Sequence, residues 1–232
     1  MDALRSLAFH AIFQAGTVLY VLTAVIVLAV APRHLPGVAD SWSRYHRRCV
    51  ERIMGIAVRE SGQRAPGPAL YAIKHESFFE AIDLPVLLER PVPFAKEELF
   101  AIPGWGRAAS AYGLVSVART EGAKALRAMV RGARHYAGSG RPLVIFPEGT
   151  RVPHGTIAPL QSGFAALYKT LGLPVVPVAV DSGRTYAGFW KRRGTIHVSF
   201  GAPIAPGLPR AELEAQVLRA INALNQSPGP AG

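Results

Sequence analysis

Polar positions almost vanish between Leu7 and Ala31, where His10, Gln14 and two threonines are the main breaks in an apolar run. That run exceeds the ~20 residues needed to cross a hydrocarbon core. Pro32 and Pro36 end it. A cleaved leader has a shorter apolar core and an A-x-A-like exit, so the expectation is a membrane-associating helix, with a buried core helix as the alternative. The next stretch has helical period, with Trp42, Tyr45, Cys49, Ile53 and Ile56 on one face and arginines on the other. Such a basic amphipathic helix either lies in a membrane interface or packs on a core.

After the loop Ser61–Gly67 the pattern becomes short apolar runs alternating with helical stretches. Strands are predicted at Pro68–Lys74, Val92–Ala95, Gly113–Val117, Pro142–Phe146, Val175–Val180 and Thr195–Phe200. Helices are predicted at Phe78–Glu89, Gly122–Tyr136, Gln161–Leu171 and Arg210–Asn225. This alternation implies an α/β fold with a mostly parallel, twisted sheet covered by helices. The chain divides into membrane-associating helices over residues 1–58, an α/β domain over 59–226 and a frayed tail over 227–232.

Composition sharpens the picture in three ways. Half of the 232 residues are hydrophobic, which is high for a freely soluble protein. Lys and Arg total 26 against 15 Asp and Glu, a formal net charge of +11 that favours anionic partners. The single cysteine, Cys49, excludes an intrachain disulfide and a multi-cysteine metal site. Arg33, Arg44, Arg47, Arg48 and Arg52 follow the apolar segment while only Arg5 precedes it. The positive-inside rule therefore puts its C-terminal side, and the domain, at the cytoplasmic face of the cell membrane.

The candidate chemistry is concentrated in Lys74-His75-Glu76-Ser77-Phe78-Phe79-Glu80-Ala81-Ile82-Asp83. His75 falls in the turn after a buried strand, at the sheet edge where α/β proteins commonly bind ligands. Ser77 and Glu80 form a capping-box pattern opening a helix. His75 could serve as a general base if a carboxylate fixes its tautomer, with Glu80 the nearest candidate and Asp83 a fallback. Alternatively Glu80 only completes the capping box. A second apolar strand runs into Pro147-Glu148-Gly149-Thr150-Arg151, where Gly149 permits close backbone approach and Arg151 can grip a phosphate. A third exits into Ala118-Arg119. Against these stands the plainer reading of turns with surface ion pairs.

Four blocks in this order resemble the glycerolipid acyltransferases typified by lysophosphatidate acyltransferase, over about residues 68–206. His75 with Glu80 is similar to the H-x4-D block, with Glu in place of the usual Asp. Gly113–Arg119 resembles the second block, except that Ala118 stands where many members have an acid. Phe146-Pro-Glu-Gly-Thr-Arg151 matches the third, and Val175–Ala179 resembles the fourth. The resemblance implies that His75, oriented by Glu80, deprotonates a lysophospholipid hydroxyl for attack on an acyl thioester. It assigns Arg119, Glu148, Gly149, Thr150 and Arg151 to substrate binding, with Lys96 bordering the site. It also implies a lipid acceptor, acyl-CoA or acyl-carrier protein as co-substrate, and no metal or other cofactor.

Rival readings are weaker. There is no G-x-S-x-G elbow, Walker A loop or dinucleotide fingerprint. The cluster Arg184 with Lys191-Arg192-Arg193 keeps a non-catalytic, basic membrane-binding protein in view. Nucleic acid is not expected, because no aromatic-rich recognition motif accompanies the charge.

Overall fold

The computed structural model describes residues 1–118 and 122–225. The tail expected at 227–232 lies outside them. Two helices lead: α1, Asp2–Val30, and α2, Leu35–Cys49, joined by a 3-10 turn at Pro32–His34. Tyr45 Oη donates to Ile12 O at 2.5 Å, Trp42 Nε1 to Thr17 Oγ1 at 3.1 Å, and Tyr20 Oη lies 2.9 Å from Ser41 Oγ. The descending order of these partners makes the pair antiparallel. Only 6 % of the most apolar window of α1 is buried inside the protein, which rules out the core-helix alternative. Ser6, Phe9 and Phe13 are its buried residues, and they sit toward its start.

α2 continues as a π turn, Val50–Met54, and stops at Gly55. With φ at 68°, Gly55 adopts the left-handed conformation that ends helices at little cost. Ile56, placed by period on the helix face, therefore does not extend it. It opens a strand that the pattern does not announce, β1, Ile56–Ser61. There follow β2, Leu70–Ile73; α3, Phe79–Leu87; β3, Val92–Lys96; and a short turn of helix, α4, Glu97–Phe100. Then come α5, Trp105–Tyr112, which the pattern also omits, β4, Val115–Val117, and α6, Gly122–Ala137. The chain ends with β5, Leu143–Ile145; α7, Ser162–Leu171; β6, Val175–Val180; β7, Gly194–Phe200; and α8, Arg210–Ile221.

The seven strands form one sheet in the order β1-β7-β6-β2-β5-β3-β4. Neighbours run parallel except β6 and β7, which are antiparallel. Side chains alternate across β2, so Tyr71 and Ile73 face one layer and Leu70 and Ala72 the other. Tyr71 and Ile73 pack with Phe9, Cys49, Phe79 and Leu84, placing α1, α2 and α3 on that face. Leu70 and Ala72 pack with Met129, Phe164, Leu167 and Val217, placing α6, α7 and α8 on the other. Because β2, β3, β4 and β5 are parallel, their C-terminal ends share one edge of the sheet. The candidate residues emerge there.

Candidate active site

His75 follows the central strand β2, whose hydrogen bonding continues one residue past it as Lys74 N donates to Val178 O at 2.9 Å. The adjacent strand β5 exits into Phe146, whose ring stacks on His75 with centroids 4.1 Å apart and planes 22° apart. The His75 carbonyl accepts the Val152 amide at 2.7 Å, so the two strand exits are also stitched through backbone.

His75 Nδ1 lies 3.2 Å from Glu80 Oε1. Capping the helix and contacting His75, set against each other by the sequence, are compatible in one Glu80 carboxylate. The same carboxylate accepts the Ser77 amide at 2.8 Å and the Glu76 amide, while Ser77 Oγ accepts the Phe79 amide at 3.0 Å. His75 precedes the helix and folds back over its first turn, which overcomes the poor i, i+5 alignment expected within a helix. The second oxygen, Oε2, is held by Ser182 Oγ at 2.7 Å and Ser77 Oγ at 3.1 Å. Burial alone would push the Glu80 carboxyl up, but the His75 contact, the Ser77 amide and the Ser182 hydroxyl outweigh it and hold it below its ordinary range. An ionised carboxylate only accepts, so Nδ1 carries the proton and Nε2 presents a lone pair. The imidazole is 16 % exposed, and Nε2 has no hydrogen-bond partner among the described residues.

Lys74 is a feature the sequence did not signal. Its ammonium is fully buried and donates to Glu148 Oε1 at 2.7 Å, Asn222 Oδ1 at 2.8 Å and Thr156 O at 3.0 Å. Three N–H groups meet three acceptors, which satisfies the ion. Glu148 Oε2 in turn accepts the His75 amide at 3.3 Å. Glu148, expected among the substrate ligands, is thus placed differently: its side chain is 0 % exposed, and it braces the backbone of His75 from behind.

The other expected residues distribute as follows. Arg151 is exposed at the rim, with its guanidinium 4.0 Å above the exposed ring of Phe78. Gly149, at φ 68°, makes the turn that returns its amide to Phe146 O at 2.9 Å, and Thr150 is exposed beside it. Lys96 ends β3 on the same edge, two strands from β2, and is exposed. Arg119 lies outside the described residues. Asp83, the fallback partner for His75, belongs to another pair: Arg47 Nε of α2 donates to its Oδ1 at 2.9 Å, tying α2 to α3.

A second imidazole–carboxylate pair adjoins the first. His154 Nδ1 is 3.0 Å from Glu76 Oε1, and the Gly183 amide donates to Glu76 Oε2 at 2.8 Å. The turn after β6 therefore holds both acids, Glu80 through Ser182 and Glu76 through Gly183. Burial pushes Glu76 up to about 8, opposed by the Gly183 amide and reinforced by Glu80 nearby. A serine and glycine directly after an apolar strand are the only hint of this in the sequence. Among the described residues no three His, Cys, Asp or Glu side chains gather as a metal site requires.

A sequence profile described as Acyltransferase matches residues 55–181, more than half the chain. A 1-acyl-sn-glycerol-3-phosphate acyltransferase of Pseudomonas aeruginosa is 28% identical, with 97% of this chain and 88% of that protein aligned. A protein of the same name from Helicobacter pylori is 26% identical over 76% of this chain and 74% of its own length. The crystal structure of the 1-acyl-sn-glycerophosphate (LPA) acyltransferase of Thermotoga maritima superposes with a TM-score of 0.71 at 21% identity, covering 99% of this chain and 100% of that one, a likeness of fold. By the profile match and by the ordered blocks around His75 and Glu148, this chain belongs to the Acyltransferase family.

Proposed function

We propose that the chain is a membrane-associated O-acyltransferase that moves a fatty acyl group from a thioester donor to the free hydroxyl of lysophosphatidate, forming phosphatidate. The observation that carries this is the His75–Glu80 pair, a buried, ionised carboxylate on Nδ1 with Nε2 unengaged at a strand exit. In this reading Nε2 takes the acceptor's hydroxyl proton as that oxygen attacks the thioester carbonyl. The C–S bond then breaks, and the imidazolium, stabilised by Glu80, returns its proton to the leaving thiolate. Arg151 is exposed, with its guanidinium carbon 4.0 Å from the centre of the Phe78 ring, so its N–H groups are open to a phosphate, and Arg119 is its expected companion. The printed names of the Pseudomonas and Helicobacter relatives support the same acceptor. Acyl-CoA or acyl-carrier protein supplies the thioester.

The lipid supply comes through α1. It touches the domain near its start, where Ser6 Oγ accepts the Lys191 amide at 3.0 Å, and near its end, where Leu28 shares a shallow groove with Phe100 and Gly106. At 1.5 Å per residue those points are ~33 Å apart, more than the ~30 Å of a hydrocarbon core. A helix held at both ends by a domain on one side of the bilayer cannot cross it, so α1 lies in the interface with Leu4, Leu7, Leu19, Leu22 and Ile26 toward lipid. Exposed Phe189, stacked on His10 at 4.2 Å, and Trp190 extend that apolar surface. The arginines after α1 favour the cytoplasmic leaflet.

The test is acyl transfer by the purified protein to a panel of acceptors, with products identified by mass spectrometry. Lysophosphatidate should be acylated and the matching monoacylglycerol, which lacks the phosphate, should not. Equal turnover of the two refutes the phosphate reading, and preference for glycerol 3-phosphate or another lysophospholipid replaces the acceptor.

A further inference from the structure

The mechanism leaves α6 unused, yet its charge pattern is one-sided. Lys124, Arg127, Arg131 and Arg134 recur at intervals of three and four residues and are all exposed, while Ala125, Met129 and Ala133 on the opposite face are buried. Residues 122–137 contain no Asp or Glu. Among the described residues Arg127, Arg131 and Arg134 form no ion pair. Like charges at these spacings destabilise a helix, and a cation in the first turn, as at Lys124, also opposes the macrodipole. Among the described residues no carboxylate offsets the three arginines.

Two further observations say what it faces. α6 packs on the sheet layer opposite α1, α2 and α3, so its outer face points away from the apolar helix that meets lipid. It also begins just past the exit of β4, on the edge of the sheet that carries His75. The stripe thus runs for ~15 Å from the rim of the candidate active site down a lipid-averted surface. We propose that this face docks an acidic protein, the acyl carrier that delivers the thioester, with its carboxylates along the stripe and the acyl thioester reaching over the rim to His75. This inference deepens the acyltransferase reading and rests on it. Coenzyme A, a small ligand, needs only the rim; a folded acidic carrier spans the helix.

The experiment compares the full chain with the triple variants R127E/R131E/R134E and R127Q/R131Q/R134Q. These replace exposed side chains, and circular dichroism checks that both variants fold. Three quantities are measured: anisotropy of fluorescently labelled palmitoyl-acyl-carrier protein, KM for that donor and for palmitoyl-coenzyme A, and co-sedimentation with phosphatidylglycerol vesicles. Charge reversal should weaken carrier binding and raise its KM at least about tenfold at low salt, neutralisation should do so less, and added salt should erase the difference. KM for palmitoyl-coenzyme A should change less than about twofold, and vesicle binding should be unchanged. Carrier binding indifferent to the substitutions overturns the proposal. So does an equal rise in KM for both donors, which marks a general potential, and so does loss of vesicle binding, which marks a lipid-facing surface. Because anisotropy needs no turnover, carrier binding without transfer to any acceptor refutes the reaction while leaving the docking face standing.

Discussion

Replacing Lys74 by methionine removes one buried charge and strands another. The side chain is close in volume, so the packing around it changes little, but Glu148 loses its 2.7 Å ionic partner while both groups are 0 % exposed. Asn222 Oδ1 and Thr156 O lose a donor at the same time. Breaking a buried pair from one side costs about 3–5 kcal/mol, because the surviving carboxylate has neither water nor counter-ion. For a chain of this length that corresponds to a fall of roughly 6–20 °C in Tm. Glu148 also braces the His75 amide, so kcat should fall with stability. In the double variant, Lys74→Met with Glu148→Gln, the stranded charge is gone, and at least half of the lost stability should return. Thermal unfolding of the four proteins in one detergent gives the cycle. A loss under about 1 kcal/mol for Lys74→Met, or a double variant no more stable than the single, refutes the buried-hub reasoning.

Other outcomes follow from the same geometry. Glu80→Gln keeps the shape but removes the charge that fixes the His75 tautomer, and should lower kcat by about 10²–10⁴ with KM for lysophosphatidate little changed; a KM effect alone contradicts it. Arg151→Gln should raise KM for phosphate-bearing acceptors by about tenfold or more and spare the His75–Glu80 chemistry, as steady-state kinetics will show. Glu76 titrates near 8 in the folded chain against an ordinary carboxylate value near 4.5, so the folded state holds the extra proton between them and stability falls as pH rises through that range. His154, which is shifted down, contributes only below its ordinary 6.5, so between pH 6.5 and 8 the slope of stability that disappears in Glu76→Gln belongs to Glu76. Denaturant titrations across that interval check this, and an unchanged slope refutes it.

Much of the fold was legible because the central strands are buried on both faces. β2, β5 and β6 consist of residues that are buried throughout, and such strands read as unbroken apolar runs. β1 escaped for the opposite reason: it is an edge strand with Arg59, Glu60 and Ser61 exposed, and it follows a helix whose period runs through Ile56. α5 is short and begins with Trp105-Gly106, a weak helical signal. At the site, His75 and Glu80 are five residues apart, so their pairing was open to local argument. The Lys74 hub was not, since its partners lie 74, 82 and 148 residues away. The placement of Glu148 followed from that hub: of the hydroxyl or scaffold contacts expected of it, the scaffold contact to His75 is the one the structure displays.

The claim on which the account turns is that Nε2 of His75 is the base. Single-turnover acyl transfer from palmitoyl-coenzyme A to lysophosphatidate, measured for the wild-type chain and for His75→Ala with matched vesicle binding, addresses it directly. The account predicts that the rate drops by at least about a thousandfold while vesicle association holds. A variant that retains more than a tenth of the wild-type rate contradicts it.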